Sequence, residues 1–222
     1  MLRDASFRRG LKDSALIFLA VGSFGLFYGV LAVDAGLSQT LTIVSSVVIV
    51  SGAAQFAMVG LLATGAAPVL IAATGLGLRH LPMSATLSRL IGPRHVFTRL
   101  RMAFILVDET FGLTVRAAAA GVTDLVAYKT AADLMLYSSW IIGTTVGVML
   151  GSAIDPVAVG IDVLFGLLFL GLAAPFIRSR RDRVVAGTAI ACTLIAIEVL
   201  PTAWQLTTAA GAASLIGTFL HE

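Results

Sequence analysis

The chain is written in long apolar runs separated by short polar or basic interruptions, and the runs are continuous rather than alternating. Residues 14–33 carry no charge at all. A helix needs about 20 apolar residues to cross hydrocarbon, so this run predicts a spanning helix, and the lack of period-two alternation argues against a β-barrel. Further runs follow at 39–63, 69–90, 102–120 and 134–151, from the Asp155-Pro156 turn to 177, and at 184–200 and 204–220. The pattern predicts an all-α, polytopic integral membrane helix bundle of six to eight membrane segments. Residues 1–13 are expected to form a cytoplasmic tail and 14–220 a single transmembrane domain, with 121–133 as a polar connection.

Composition sharpens that class. Of 222 residues 58% are hydrophobic and 12% charged, with a mean hydropathy of +0.99. A water-soluble domain carries roughly 25% charged residues, which excludes that class here. The net charge of +3 does not point to nucleic acid, because the basic residues gather at the ends of apolar runs, as cytoplasmic membrane loops do. Arg3, Arg8, Arg9 and Lys12 precede the first run, which is too long for a signal peptide and is expected to be retained with its N-terminus in the cytoplasm. The single cysteine, Cys192, excludes an internal disulfide and is expected to be a small core residue. His80, His95 and His221 show no ligand spacing, so no metal and no cofactor are expected.

Small residues mark where helices approach one another. Gly25 and Gly29 form a GxxxG pair on the first segment, and Gly143, Gly147 and Gly151 repeat at four-residue spacing on the fifth. Both patterns predict close helix packing. The run Ser51-Gly52-Ala53-Ala54-Gln55-Phe56 interrupts a β-branched stretch with a glycine and an amide. It is either a broken helix whose freed backbone groups coordinate a solute, or a helix whose Gln55 bonds a neighbour.

Charge at membrane depth is costly, at roughly 3 kcal/mol per residue on insertion scales, and is retained mainly for function. Two places carry it. Arg79 is the only charge between 66 and 88, beside His80, with Gly75, Gly77 and Pro82 around it to interrupt a helix. Asp108 and Glu109 are adjacent carboxyls inside 102–120. About 100° apart on a helix, they cannot both face one partner, so one is free to pair with Arg79 while the other lines a cavity. A carboxyl taken out of water gains proton affinity, which suits a proton carrier; a static ion pair with Arg79 or Arg116 is the alternative.

Counting crossings ties the two places together. Eight full spans would export the basic loop 89–101 with its arginines, against the positive-inside tendency. The conflict disappears if 69–90 and 102–120 are discontinuous or re-entrant segments, dipping in from the cytoplasmic side around one internal polar site.

Ser51-Gly52-Ala53-Ala54-Gln55-Phe56, Leu78-Arg79-His80 and Asp108-Glu109-Thr110-Phe111, in that order after a glycine-rich first helix, resemble the large subunit of the AzlC/YgaZ family of branched-chain amino acid exporters. The resemblance covers roughly residues 8–220. It implies proton-driven export of leucine, isoleucine and valine across the bacterial inner membrane, together with a small hydrophobic AzlD/YgaH-like membrane subunit. Two positions depart from the family's pattern. Gly77 stands where members commonly have asparagine, and Ser23 where they have proline before the Phe24-Gly25 pair.

A zwitterionic amino acid needs an anchor for each charge. Arg79 would take the carboxylate with its two-pronged guanidinium, and Asp108 or Glu109 the ammonium, in competition with a proton. The expected substrate-binding set is Arg79, Gln55, Gly52, Ser51, Phe56 and Met83, with Met58 also facing the branched side chain. The proton-coupling set is Asp108, Glu109 and His80. Apolar contacts discriminate one methylene by only about 1–3 kcal/mol, so overlapping substrates are expected. An intramembrane hydrolase using His80 and Ser84 is disfavoured because Gly-x-Ser-x-Gly is absent, so no enzyme is expected. The competing class is a non-transporting helical subunit or a channel.

Overall fold

The computed structural model describes residues 2–151, 177 and 179–219, and every described element is helical. In chain order these are α1 Leu2–Asp34, α2 Gln39–Val48, α3 Gly52–Leu61 with a 3-10 turn Leu62–Thr64, α4 Ala66–Gly77, α5 His80–Ile91, α6 Val96–Phe104, α7 Asp108–Ala119, α8 Leu125–Gly151, α9 Arg180–Val199 and α10 Thr202–Phe219. Two of them, α1 and α8, are long and apolar enough to cross a membrane. The expected sixth segment, with Asp155, Asp162 and Arg178, lies outside the described residues, as does His221.

The chain divides into two compact units, one of residues 1–55 and 77–155 and the other of 56–76 and 156–222. The first is organised on α1 and α8. Residues 2–13 are helical and continuous with the apolar run, giving a helix of 33 residues. Its backbone-only stripe lies against the glycines of α8. A Cβ on Gly25 would come 2.6 Å from the Trp140 carbonyl oxygen, and one on Gly143 or Gly147 would collide with the Gly22 or Leu26 carbonyl. Even a methyl at any of these three glycines would meet a backbone carbonyl. Gly151 is looser, its Cβ position 3.2 Å from Val30 Cα. Ser139 on α8 donates its hydroxyl to the Phe18 carbonyl across the same seam.

Glycines also end helices, two of them in the same way. Gly36 (φ 93°) stops α1 and Gly121 (φ 73°) stops α7, each in a left-handed conformation that spares a side chain's steric clash. In both, the amide after the glycine folds back, that of Leu37 onto the Ala32 carbonyl and that of Val122 onto the Ala117 carbonyl, at 2.9 and 3.0 Å.

The region expected to be a polar connection is not one. α8 begins at Leu125, so Lys129 and Asp133 lie inside a membrane-length helix, and both are buried. Their charges are four residues apart, on one helical face, where each offsets the other's desolvation. The basic stretch 89–101 is likewise mostly helical, since α5 reaches Ile91 and α6 starts at Val96.

The second unit contains a helical pair. Ser179 and Asp182 form a reciprocal capping box that starts α9, with Arg180, Arg181 and Arg183 in its first turn. The Arg181 guanidinium donates twice to the Gly217 carbonyl of α10, at 3.1 and 2.6 Å, and the turn at Pro201 lets Gln205 bond the Leu200 carbonyl. Buried alanines 196, 209 and 213 set the close packing of the pair.

Candidate functional site

Three membrane-apolar segments are interrupted in the described structure, and each interruption has a physical origin. α2 and α3 part at 49–51, where Ile49 is extended and Gly52 begins α3. Ser51 restarts the helix, its hydroxyl accepting from the Ala54 amide at 3.4 Å and its carbonyl from Gln55. α4 and α5 part at Leu78-Arg79. Pro82 has no N–H to give the Leu78 carbonyl, which takes the Leu81 amide instead, at 3.1 Å, so the helix tightens and slips. α6 and α7 part at 105–107, a run of apolar β-branched and leucine residues with extended backbone at Val107.

A broken helix at membrane depth leaves carbonyls without amide partners, and each must be met by protein or water. In all three places a side chain meets one. The Tyr137 hydroxyl donates to the Val47 carbonyl at 2.7 Å. His80 Nδ1 lies 2.9 Å from the Gly77 carbonyl, which can only accept, so that nitrogen carries the proton. Lys129 Nζ donates to the Ile105 carbonyl at 3.0 Å while holding both carboxylate oxygens of Asp133, at 2.6 and 2.8 Å. Thr110 on α7 also faces Asp133.

The break between α2 and α3 is bordered by a buried hydroxyl and amide network. Tyr28 and Ser45 share a hydrogen bond of 2.6 Å, Gln55 Nε2 reaches Ser46 at 3.0 Å and Ser45 at 3.3 Å, and Ser46 bonds Thr144 at 2.9 Å. The network joins α1, α2, α3 and α8, and all of these side chains are buried. The Gln55 Oε1 atom is buried without a hydrogen-bond partner, a lone acceptor beside the break. Gly52 sits against the Trp140 ring, where a Cβ would come within 2.8 Å of Cη2, so its smallness serves the indole.

The charged place has a different character. Arg79, between α4 and α5, meets Asp108, the first residue of α7, with 3.0 Å between Nη1 and Oδ2. The side chains are 38% and 53% exposed, so the pair is reachable rather than sealed. Asp108 and Glu109 occupy the first turn of α7, where amides and helix dipole favour negative charge. Glu109 is half-buried and within electrostatic range of both Arg79 and Asp108. The Arg79 Nε atom is buried with no acceptor, so one donor of the guanidinium fork is unused.

The remaining expected residues are placed as follows. Met83 is buried in a small cluster with Leu87 and Leu106, flanked by Ile91 and Phe111, and so packs α5 on α7. Phe56 and Met58 follow Gln55 on α3 and belong to the second unit, whereas Arg79, Asp108, Glu109, His80 and Gln55 all belong to the first. Sequence reasoning missed Lys129, Asp133, Tyr28 and Tyr137. The spacing of Lys129 and Asp133 was a usable signal; the tyrosines, isolated in apolar runs, gave none.

Interrupted apolar helices, side-chain caps at the breaks and buried polar groups between helices define an α-helical integral membrane protein. Residues 16–154 match the AzlC protein family, and the chain belongs to it. It is similar to an uncharacterized membrane protein of Archaeoglobus fulgidus, with 31% identity over 85% of this chain and 84% of that one. The inner membrane protein YgaZ of Escherichia coli K12 is 26% identical over 88% of this chain and 85% of its own. An uncharacterized membrane protein of Helicobacter pylori is 25% identical over 90% and 89%. No solved structure matches the chain.

Proposed function

We propose that this AzlC-family protein exports branched-chain and other large neutral amino acids across a bacterial inner membrane. It works in exchange for protons, as the large subunit of a permease whose second component is a small AzlD/YgaH-like membrane protein. The N-terminus lies in the cytoplasm. The observation that carries the reading is the Arg79–Asp108 pair, held by two interrupted helices and only half-buried. A zwitterion is the natural occupant of such a pair. Its carboxylate takes the fork of Arg79, including the Nε donor that has no acceptor, and its ammonium takes Asp108 or Glu109. A proton on the acid then competes with the ammonium, and that competition couples the two movements.

Efflux of labelled leucine from proteoliposomes, with the small subunit present, tests this directly. Arg79→Ala and the double change Asp108→Asn with Glu109→Gln should each abolish efflux. Wild-type rates in either would overturn the assignment.

A further inference from the structure

Between α5 and α6 lies an open cleft of about 390 Å³, lined by Leu87, Ile91, Leu100, Met102 and Leu106 and edged by Arg94 and Arg99. Its floor is apolar, with Leu87, Met102 and Leu106 buried. Its rim is cationic, and the sequence from 84 to 107 holds no acidic residue. Among the described residues neither Arg94 nor Arg99 pairs with a carboxylate. Arg94 gives one Nη1 hydrogen to the adjacent Pro93 carbonyl at 3.0 Å, and Arg101 is engaged on α8, donating to the Thr130 hydroxyl at 2.7 Å. α6 also presents Val96, Phe97, Leu100 and Phe104 outward, with Phe97 73% exposed. A basic helix with an uncovered apolar face rests in the boundary between headgroups and acyl chains.

We propose that this cleft binds an anionic phospholipid, its phosphate on Arg94 and Arg99 and an acyl chain along the apolar floor. Both halves of the site match both halves of that ligand. An amphiphile with a negative head suits a cationic rim over an apolar trough, and neither a free anion nor a neutral lipid does. The site is separate from Arg79 and Asp108, so it stands whether or not the chain carries amino acids. Bound there, the lipid would fasten α5 to α6 and hold the segment between the second and third helix breaks at the membrane surface.

The full chain, purified in neutral detergent, would be titrated with phosphatidylglycerol and separately with phosphatidylcholine, reading bound lipid by native mass spectrometry. Wild type should prefer phosphatidylglycerol, and Arg94→Ala with Arg99→Ala should weaken that binding about thirtyfold, since each basic residue near an anionic headgroup contributes on the order of fivefold. Arg89→Ala removes an exposed charge outside the cleft lining and should leave it unchanged. Ala103→Trp fills the cleft and should reduce binding with both arginines in place. Equal affinity for the two lipids, or retention by the double variant, would overturn the proposal. So would displacement of phosphatidylglycerol by inorganic phosphate alone, which would mean a free-anion site. Concentration-dependent dimerisation that competes with the lipid would instead assign the groove to a second copy.

Discussion

Lys129 Nζ is shared between the Asp133 carboxylate on its own helix and the carbonyl of Ile105 on the broken segment ahead of α7. One fully buried ammonium therefore joins the start of a membrane-length helix to the most irregular backbone near it. The arrangement makes the two residues unequal to any single replacement. Lys129→Met leaves a buried carboxylate without its cation and a carbonyl without a donor, and should cost about 3–5 kcal/mol. The double change Lys129→Met with Asp133→Leu should recover much of that loss. Thermal melting of the purified single and double variants measures both.

Arg79→Lys separates charge from geometry at the proposed substrate pair. An ion pair as exposed as Arg79–Asp108 contributes at most about 1 kcal/mol to stability, so folding should be nearly unaffected. The ammonium cannot offer a fork to a carboxylate, so leucine should bind at least tenfold more weakly if a charge-assisted bond of about 1.5–3 kcal/mol is lost. Substrate-dependent protection in a melting assay reports the binding term without relying on transport.

Coupling can be separated from translocation in the same proteoliposomes. With Glu109→Gln alone, leucine-for-leucine exchange should persist while uphill efflux driven by a proton gradient falls to background. Gradient-driven efflux at the wild-type level would remove Glu109 from the proton pathway.

The glycine seam distinguishes two kinds of glycine on otherwise similar helices. Gly143→Ala places a methyl against the Gly22 carbonyl and should destabilise by about 1–3 kcal/mol. Gly112→Ala, on α7, meets nothing within 4 Å and should be neutral or stabilising by up to about 1 kcal/mol. Comparing their melting midpoints with wild type checks both signs.

Much of this was legible in the residues. The all-helical class followed from run length and the interruption at 78–79 from Pro82 after two glycines, while Ser51 to Phe56 had left a broken helix and a Gln55 bond to a neighbour as alternatives, and both are present. The third interruption was expected within 102–120 from the count of crossings but could not be placed, because Ile105 to Val107 is apolar throughout, and what stabilises it is Lys129, 24 positions on. Lys129 and Asp133 were read as a connection because a charge inside an apolar helix resembles the end of one. Their four-residue spacing, which lets the charges satisfy each other, is the feature that distinguishes the two cases. The Tyr28–Ser45 and Tyr137–Val47 bonds were beyond reach for another reason. A phenol hydroxyl says that a partner exists, not which, and these partners are 17 and 90 residues away.

The seam between α1 and α8 also sets an order on biogenesis. Gly22 and Gly143, which meet there, stand at opposite ends of the larger unit, so α1 enters the bilayer long before its partner has been synthesised. During that interval its bare backbone stripe is solvated by lipid, and every intervening segment must be accommodated without occupying it. Contacts this distant in sequence are slow to form, because the closure entropy of the intervening chain comes first. Closure of the seam therefore waits for α8, and a chain arrested before residue 143 would present the insertion machinery with an unmated helix to shelter or degrade.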